Sequence, residues 1–468
     1  MGLQSSLNLQ CSDDRDPALS LSSTTSGSSS SSHSSSSSSS HSSSSSHSSS
    51  VDGGEEQQSG LLGFPLTAPW SDAPRVDFLS NYSFPLSPLK RTLTPIAGYD
   101  AGDSIFTSMP WSNSSSAGNQ PQWHSGCLLP NGKVVFVPIY KPHIGIFDPA
   151  DGNLNVVDIS EQVALLSSPT ASWQGGVLAP NGKVYFVPAN ANDVGKFDPS
   201  DNTFSTIDIS AKISVGAKYH GGVLANNNKI YFVPHNADNV GVFDPFDESF
   251  DTVSISVYQD WKYAGGVLAP NGKIVFVPWA TTSVGVFDPS DNSFNKYSFS
   301  MSYTHHFEKF IGGVLTPDGK VVFVPRGASN IGIFDPSDNT FSVVAESGIT
   351  YTLLPSFGKY GGGVLAPNGK VVFVPYTGSN DGAIGVFDPS DRSFTTIDIS
   401  DQMPDEHIWN SAGYWGGVVA KNGKIVFVPM HTNSVGILDL GNQDLGYSVS
   451  GAINEGWNAV LSPHFNKY

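Results

Sequence analysis

Residues 264–294 read AGGVLAPNGKIVFVPWATTSVGVFDPSDNSF. Three short runs in this stretch are rich in β-branched and aromatic residues, which favour strands. Turn sequences separate them: Asn271-Gly272 is a strong hairpin signal, and Pro289 opens a Pro-Ser-Asp-Asn turn. A fourth alternating run completes the pattern, for example TFSTIDIS at 203–210. The stretch therefore predicts a unit of four antiparallel strands.

The same unit occurs seven times between residue 121 and residue 468. The proline that ends its Val-x-Phe-Val-Pro pattern recurs at intervals of 50, 46, 44, 47, 50 and 54 residues, and β-propeller blades have about this length. A single four-stranded unit cannot bury both faces of its sheet, so seven consecutive units predict an all-β, seven-bladed propeller. The marker prolines are Pro138, Pro188, Pro234, Pro278, Pro325, Pro375 and Pro429.

Closure of the ring has two solutions. Residues 456–463, GWNAVLSP, resemble the first strand of a further copy. We expect this segment to pair with strands from residues 61–120 and so to clasp the ring. The alternative is an eight-bladed ring with a composite last blade.

The chain before the repeats divides into two segments. Residues 1–60 are dominated by serine with interspersed histidine, and this scarcity of apolar side chains predicts a disordered tail. Residues 61–120 are rich in proline and serine, which predicts an extended lead-in that contributes at most one or two strands to the closure. We expect the propeller itself to span 121–468.

The first residues carry a possible lipidation signal. Gly2 and Ser6 match the N-myristoylation pattern M-G-x-x-x-[ST], and Cys11 offers a site for a second acyl chain. Two lipids hold a protein at a membrane stably, whereas one does so only marginally. Acylation of Gly2 and Cys11 is one prediction, and an unmodified start is the alternative.

Composition restricts the location and the partners. The chain shows neither an apolar run of 18 residues nor a secretory signal, so we expect a cytoplasmic protein, membrane-associated if acylated. Two cysteines, one of them in the tail, argue against a structural disulfide. A net charge of −18 argues against nucleic acid as a ligand, and it favours a monomer because like charges oppose self-association.

Comparison of the seven copies separates constant from variable positions. The diglycine, the Asn-Gly turn, the Val-x-Phe-Val-Pro strand and the Phe-Asp-Pro corner recur, so the fold accounts for them. The differences gather just before the diglycine and just after Val-Pro, and both places lie at the same end of the first hairpin. One face of the disk is therefore constant, and the other, which also carries the loops between blades, is variable.

We predict that this variable face binds a ligand, because loops on a rigid scaffold commonly carry function and Trp, Tyr and Arg are frequent interface anchors. Drift under weak constraint is the alternative explanation of the variation. The candidate binding residues are His124, Tyr140, Gln174, His220, His235, Trp279, Arg326, Tyr376, Trp415 and His431.

Two further sets of residues recur just before the variable residue that precedes the diglycine. An aromatic residue precedes it in every copy, and we interpret this set as packing between blades rather than as a stacking ring for a ligand. A lysine lies two residues before it in four consecutive copies, and we interpret these lysines as solvated charge, or alternatively as a positive arc for acidic peptides. The aromatic set is Trp123, Trp173, Tyr219, Tyr263, Phe310, Tyr360 and Tyr414, and the lysines are Lys218, Lys262, Lys309 and Lys359.

A weak metal-site hypothesis centres on the third copy. His220, His235 and Asp238, with Asp193 from the preceding copy, could supply two imidazoles and carboxylates to a divalent ion. His305, His306 and Glu308 form a looser second set. Scattered surface histidines are the simpler explanation, since no ligand spacing recurs.

The repeats resemble two kinds of known propeller. KIYFVP at 229–234 followed by NVGVFDPFDESF at 239–250 resembles a kelch repeat, although Val-Pro stands where kelch has a diglycine and Phe stands for its tryptophan. The same stretch is similar to repeats of virginiamycin B lyase and related six- or seven-bladed proteins. That resemblance implies a metal held by His and Glu on one face, but no motif here identifies those residues one by one.

The sequence thus supports two functional hypotheses. The first is a binding or scaffolding propeller that presents its variable face to a protein or peptide, with no cofactor. The second is a metal-assisted lyase or hydrolase that acts on a small molecule at the same face. The familiar catalytic signatures G-x-S-x-G, H-E-x-x-H and G-x-x-x-x-G-K-[ST] are absent from the sequence, which favours the first.

Overall fold

The computed structural model describes residues 105–110, 122–164, 173–301, 308–345, 358–376, 383–402 and 413–440. These residues form seven four-stranded antiparallel sheets, which are the blades of a propeller. The first strands of successive blades contact one another, so they surround the central axis. The prediction of an all-β, seven-bladed propeller is confirmed.

Each blade runs from an inner strand at the axis to an outer strand at the rim, and its second and third strands lie between them. The inner strands are β2 (Trp123–Leu128), β6 (Trp173–Leu178), β10 (Tyr219–Leu224), β14 (Tyr263–Leu268), β18 (Phe310–Leu315), β22 (Tyr360–Leu365) and β26 (Tyr414–Val419). The second strands are β3 (Val134–Pro138), β7 (Val184–Pro188), β11 (Ile230–Pro234), β15 (Ile274–Pro278), β19 (Val321–Pro325), β23 (Val371–Pro375) and β27 (Ile425–Pro429).

The two strands nearer the rim complete each sheet. The third strands are β4 (His143–Phe147), β8 (Asp193–Asp198), β12 (Asn239–Phe243), β16 (Ser283–Asp288), β20 (Asn330–Asp335), β24 (Ala383–Asp388) and β28 (Ser434–Asp439). The outer strands are β5 (Leu154–Asp158), β9 (Thr203–Asp208), β13 (Phe250–Ser254), β17 (Ser293–Ser298), β21 (Thr340–Ala345), β25 (Ser393–Asp398) and β1 (Ile105–Pro110). Helix α1 (Ser160–Ala164) and a 3-10 turn (Ser400–Gln402) follow the outer strands of the first and sixth blades.

The seventh blade is composite and closes the ring. Its outer strand β1 comes from the lead-in and pairs antiparallel with β28, from Ile105 opposite Asp439 to Pro110 opposite Ser434. The inner strand of the first blade packs directly against that of the seventh. The eight-bladed alternative is therefore wrong, and the outer strand of the seventh blade comes from within residues 61–120. The other segment expected to take part, 456–463, lies outside the described residues.

A β-bulge at the start of every inner strand explains the diglycine. In the third blade Tyr219 pairs with Pro234, but the next pair is Gly222 with Phe232, so two residues face one. The second of those residues, Gly221, has φ of 90°, which favours glycine. A bulge turns the side chain beside it out of the regular alternation. The variable residue His220 is the first of the two, so the bulge sets its direction.

The recurring aromatic residues lie between blades, as their sequence position predicts. Each is buried and belongs to an apolar cluster that includes residues of the preceding blade. Tyr219, for example, packs on Phe232 with ring centroids 5.5 Å apart. A Cβ atom on Gly241 would lie 3.0 Å from the same tyrosine ring, so the glycine of the third strand leaves room for it.

The constant face repeats one polar arrangement at its corners. Asp288 accepts the backbone N–H of Ser290 at 3.0 Å and pairs with Lys273 of the Asn-Gly turn at 3.3 Å. Lys133–Asp148, Lys183–Asp198, Lys229–Asp244, Lys370–Asp388 and Lys424–Asp439 repeat the ion pair. This regularity confirms that the constant residues serve the fold.

The predicted acylation of the N-terminus concerns residues outside the seven blades. Gly2 and Cys11, the predicted acylation sites, lie outside the described residues. Cys127 is a free, buried thiol, and burial raises its pKa to about 12. Among the described residues no helix has the length and hydrophobicity needed to cross a membrane.

Candidate functional site

The variable residues of distant blades meet at the axis. His220 of the third blade lies 6.4 Å from Trp415 of the seventh, measured between ring centroids, and His124 of the first lies 4.4 Å from Trp415. Rings from non-neighbouring blades can approach this closely only across the central channel. We call the group the axial cluster: His124, His220, His235, Trp279, Arg326, Tyr376 and Trp415.

Two kinds of position supply the cluster. His124, His220 and Trp415 occupy the bulge before the diglycine, which aims them inward. The other members follow the proline that ends a second strand. His235 and Trp279 join the group through ring contacts to His220 at 5.4 and 6.0 Å.

Arg326 is the charged centre of the axial cluster. Its Cζ lies 4.1 Å from the ring centroid of Tyr376, 4.8 Å from that of Trp415 and 5.2 Å from that of Trp279. Its Nε donates to the Glu308 carboxylate at 2.7 Å. Stacked aromatic faces favour a desolvated guanidinium, so the rings and Glu308 together hold the charge in place.

The three histidines of the cluster are neutral near pH 7. Burial, assisted by the charge on Arg326, lowers the pKa of His124 to about 3. Burial lowers the pKa of His220 well below its usual value, and it lowers the pKa of His235 to about 4. Nδ1 of His235 lies 2.8 Å from the Tyr263 carbonyl oxygen, and it donates there because a carbonyl oxygen can only accept. The formal positive charge of the cluster therefore lies on Arg326.

Three other predicted residues also lie on the variable face. Tyr140 is exposed after Pro138, Gln174 is half-buried in the bulge of the second blade, and His431 is half-buried after Met430. Burial lowers the pKa of His431. The ring contacts of the described residues do not join these side chains to the axial cluster.

Burial changes the interpretation of two predicted anchors. Sequence comparison treats Trp279 and Arg326 as side chains of the variable face that bind a ligand. Both are instead buried against the other members of the axial cluster. Replacing either with alanine would leave a cavity, and truncation of a buried Trp costs roughly 3–5 kcal/mol.

The metal-site candidates are only partly brought together. The rings of His220 and His235 are adjacent, but the Asp238 carboxylate pairs with Lys262 at 3.3 Å. Asp193 begins β8, and burial is the main cause that raises its pKa. Among the described residues no three His, Cys, Asp or Glu side chains form a metal-binding group. In the second set Glu308 pairs with Arg326, whereas His305 and His306 lie outside the described residues.

The four recurring lysines are buried, so their interpretation as solvated charge is wrong. Lys218 Nζ donates to the carbonyl oxygens of Ala189 and Ala191 in the preceding blade, at 3.0 and 2.7 Å. Burial lowers its pKa to about 8. Recurrence in four consecutive blades is itself a signal of such a structural role, because a residue that repeats from one unit to the next usually serves the contact between units.

Sequence comparison missed two exposed aromatic side chains on the variable face. Tyr258 is 86% exposed and Trp261 is 46% exposed, both in the loop between β13 and β14. The available signal is the pair of aromatic residues, Tyr258 and Trp261, in the inter-blade loop sequence SVYQDWKY at 256–263.

The fold has well-defined structural neighbours. No protein-family model matches the sequence, and no curated protein is similar to it in sequence. The structure is similar to that of a streptogramin B lyase, with a TM-score of 0.57 and 16% identity over 72% of this chain and 98% of the lyase. It is similar also to virginiamycin B lyase from Staphylococcus aureus, with a TM-score of 0.56 and 14% identity over 72% of this chain and 99% of the lyase.

A third neighbour is not described as an enzyme. It is the extracellular domain of a two-component system from B. thetaiotaomicron, with a TM-score of 0.51 and 9% identity over 72% of this chain and 43% of that chain. The resemblance to virginiamycin B lyases is thereby confirmed for the fold. At these identities the similarity extends to architecture alone.

Proposed function

We propose that this protein is a binding propeller that presents its variable face to a protein or peptide partner. The difference between the two faces supports the proposal. The constant face repeats the same turns and ion pairs, whereas one loop of the variable face carries two exposed aromatic side chains, Tyr258 and Trp261. Aromatic residues are enriched where proteins bind one another.

The observation that carries the proposal is the conformation of Trp261. This residue has φ of 54° and is nearly half exposed. A left-handed conformation is costly for a bulky residue, and such strain is concentrated at functional positions. Ala217 has the same conformation at the equivalent point of the preceding blade, with φ of 48°. The fold therefore requires the conformation but does not require a tryptophan there.

Hydrogen bonds fix the backbone of the loop around Trp261, so the indole is attached to the surface at a defined position. The backbone N–H of Trp261 donates to Asn236 Oδ1 at 2.9 Å, and its carbonyl accepts the N–H of Ala280 at 2.9 Å. Preorganisation of an exposed aromatic anchor lowers the entropy cost of binding. Tyr258, three residues earlier, adds a second aromatic side chain to the same loop.

A comparison of two variants tests the proposal. In Tyr258→Ser/Trp261→Asn both aromatic anchors are removed, and Asn adopts positive φ readily, so the fold should be retained. We expect a partner captured from native lysate by the wild type to be lost from this variant. The purified partner should then bind the variant at least tenfold more weakly in calorimetry, as loss of an aromatic hot spot predicts.

Phe246 provides the matched control, because it is half exposed in a turn of the constant face. Phe246→Ser should keep the partner with unchanged affinity. Retention of the same proteins by the wild type, by Phe246→Ser and by the double variant would contradict the proposal.

A further inference from the structure

The axial cluster contains buried polar atoms that no described residue satisfies. Nδ1 of His124, Nη1 of Arg326 and Nε1 of Trp415 have no hydrogen-bond partner among the described residues. Their side chains are deeply buried, with exposed fractions of 1%, 6% and 5% for the respective residues. Buried polar groups are almost always paired, and a group without a partner usually indicates a missing water, ion or ligand.

The three side chains touch, although they come from different blades. The His124 ring lies 4.4 Å from the Trp415 ring between centroids. The guanidinium carbon of Arg326 lies 4.8 Å from the centroid of the same Trp415 ring. The unsatisfied atoms therefore lie on side chains of one cluster at the axis and not in separate places in the molecule.

The chemistry of these atoms defines what would satisfy them. Indole and guanidinium N–H groups can only donate, and a neutral imidazole donates from one of its two nitrogens. Three aromatic rings lie close to the Arg326 guanidinium, but a ring face is only a weak acceptor for its N–H groups. Glu308 accepts from Nε and leaves Nη1 unsatisfied. Arg326 Nη1 and Trp415 Nε1 thus need an acceptor, His124 Nδ1 adds a third donor in its Nδ1–H tautomer, and a guanidinium N–H forms its strongest hydrogen bonds with an anionic acceptor.

We infer that the axial cluster binds a carboxylate group, held by Arg326 together with the N–H groups of Trp415 and His124. A carboxylate is an acceptor-only group with two oxygens, and it forms strong charge-assisted hydrogen bonds with guanidinium. The inference does not rest on the proposed protein partner. A small free carboxylate and the C-terminus of a peptide share this chemistry.

The test is a ligand titration of the full-length protein, followed by its unfolding temperature. Sodium formate and sodium acetate are added at constant ionic strength, with sodium chloride as the balancing salt. N-acetylalanine is compared with N-acetylalaninamide, which lacks the carboxylate. A ligand that binds only the folded state raises the unfolding temperature in a saturable way. We expect saturation with formate, acetate or N-acetylalanine, and no effect of the amide.

Two variants locate the site. Trp415→Phe keeps an aromatic ring over Arg326 but removes the indole N–H, so the titration midpoint should shift to roughly tenfold higher ligand concentration or more. Arg392→Asn removes an exposed arginine far from the axis, in the turn between β24 and β25, and should leave the midpoint unchanged. The midpoint reports affinity even if a variant is less stable than the wild type.

The outcomes separate the sources of the carboxylate. Saturation by N-acetylalanine supports a peptide C-terminus as the ligand, and saturation by formate and acetate alone supports a small free carboxylate. The absence of saturation with every carboxylate would overturn the inference, and so would an identical midpoint in Trp415→Phe. Loss of partner binding in the Tyr258→Ser/Trp261→Asn variant is a separate result, because neither residue belongs to the axial cluster.

Discussion

At the scale of single residues, the buried histidines make the axial cluster sensitive to acid. The pKa of His124 is about 3 in the folded protein and 6.5 when unperturbed. Between these values the unfolded chain binds a proton that the folded protein does not, so the unfolding free energy falls as the pH falls. This contribution is fully present above pH 6.5 and is lost progressively down to about pH 3.

We predict a loss of about 3 kcal/mol from His124 alone between pH 7 and pH 4, at 1.36 kcal/mol per pKa unit. Urea denaturation at several pH values measures it. In His124→Gln the fall in unfolding free energy between pH 7 and pH 4 should be smaller by this amount. His143→Gln is the control, because the His143 side chain is 38% exposed. Equal slopes in the wild type and in His124→Gln would show that His124 is charged or exposed in the fold.

At the scale of elements, the diglycine of the inner strand has two separate tasks. Its first glycine adopts the left-handed conformation of the bulge, as Gly175 does with φ of 112°. Its second glycine allows neighbouring blades to approach. A Cβ atom on Gly176 would lie 2.6 Å from Val137 Cγ2 and 2.9 Å from Cys127 Sγ of the preceding blade.

We predict that Gly176→Ala destabilises the protein by about 1–3 kcal/mol, because the added methyl group overpacks the interface between two blades. Gly182→Asn is the matched control in the same blade. Gly182 has φ of 79°, which Asn tolerates, and a Cβ atom there meets nothing within 4 Å. Its cost should stay within about 0.5 kcal/mol in urea denaturation. A Gly176→Ala variant as stable as Gly182→Asn would contradict tight packing between blades.

Sequence comparison identified the variable positions before the diglycine but neither the bulge there nor the direction of their side chains. The strands, the hairpin turns and the corner aspartates follow from local patterns of a few residues, so they could be predicted. The inward aim of His124, His220 and Trp415 depends on which residues pair across two strands, and no local pattern contains that register. The burial of Lys218 is equally non-local, because its partners, Ala189 and Ala191, belong to another blade.

At the scale of the whole molecule, ring closure depends on one short strand. β1 and β28 are separated by more than three hundred residues, yet they form the outer pair of the seventh blade. Sequence analysis predicted a closing strand within 61–120 but could not choose one. The segment IFTSMP (105–110) is not flanked by the turn sequences that mark the strands of the repeats. The strand with which it pairs is set by the geometry of the complete ring.

Phe106 is the side chain that anchors this closure. It is buried in the seventh blade, with its ring centroid 5.8 Å from that of Phe427 and 6.2 Å from that of Tyr414. Phe204 occupies the corresponding place in the second blade, 5.8 Å from Phe186. In the second blade, however, the outer strand is joined to its neighbour by a short turn, whereas β1 is held to β28 by non-covalent contacts.

We predict that Phe106→Ala lowers the unfolding free energy by about 3–5 kcal/mol, as does Phe204→Ala, because both remove a buried ring. Hydrogen exchange should distinguish them. In Phe106→Ala the amides of Ser434–Asp439 should lose protection first, since release of β1 leaves β28 as an open edge and opens the ring. In Phe204→Ala the turn between β8 and β9 keeps the strand near its partner, so protection of Asp193–Asp198 should fall less. Equal loss of protection in the two blades would mean that covalent continuity contributes little and that the blades close the ring through their inner strands alone.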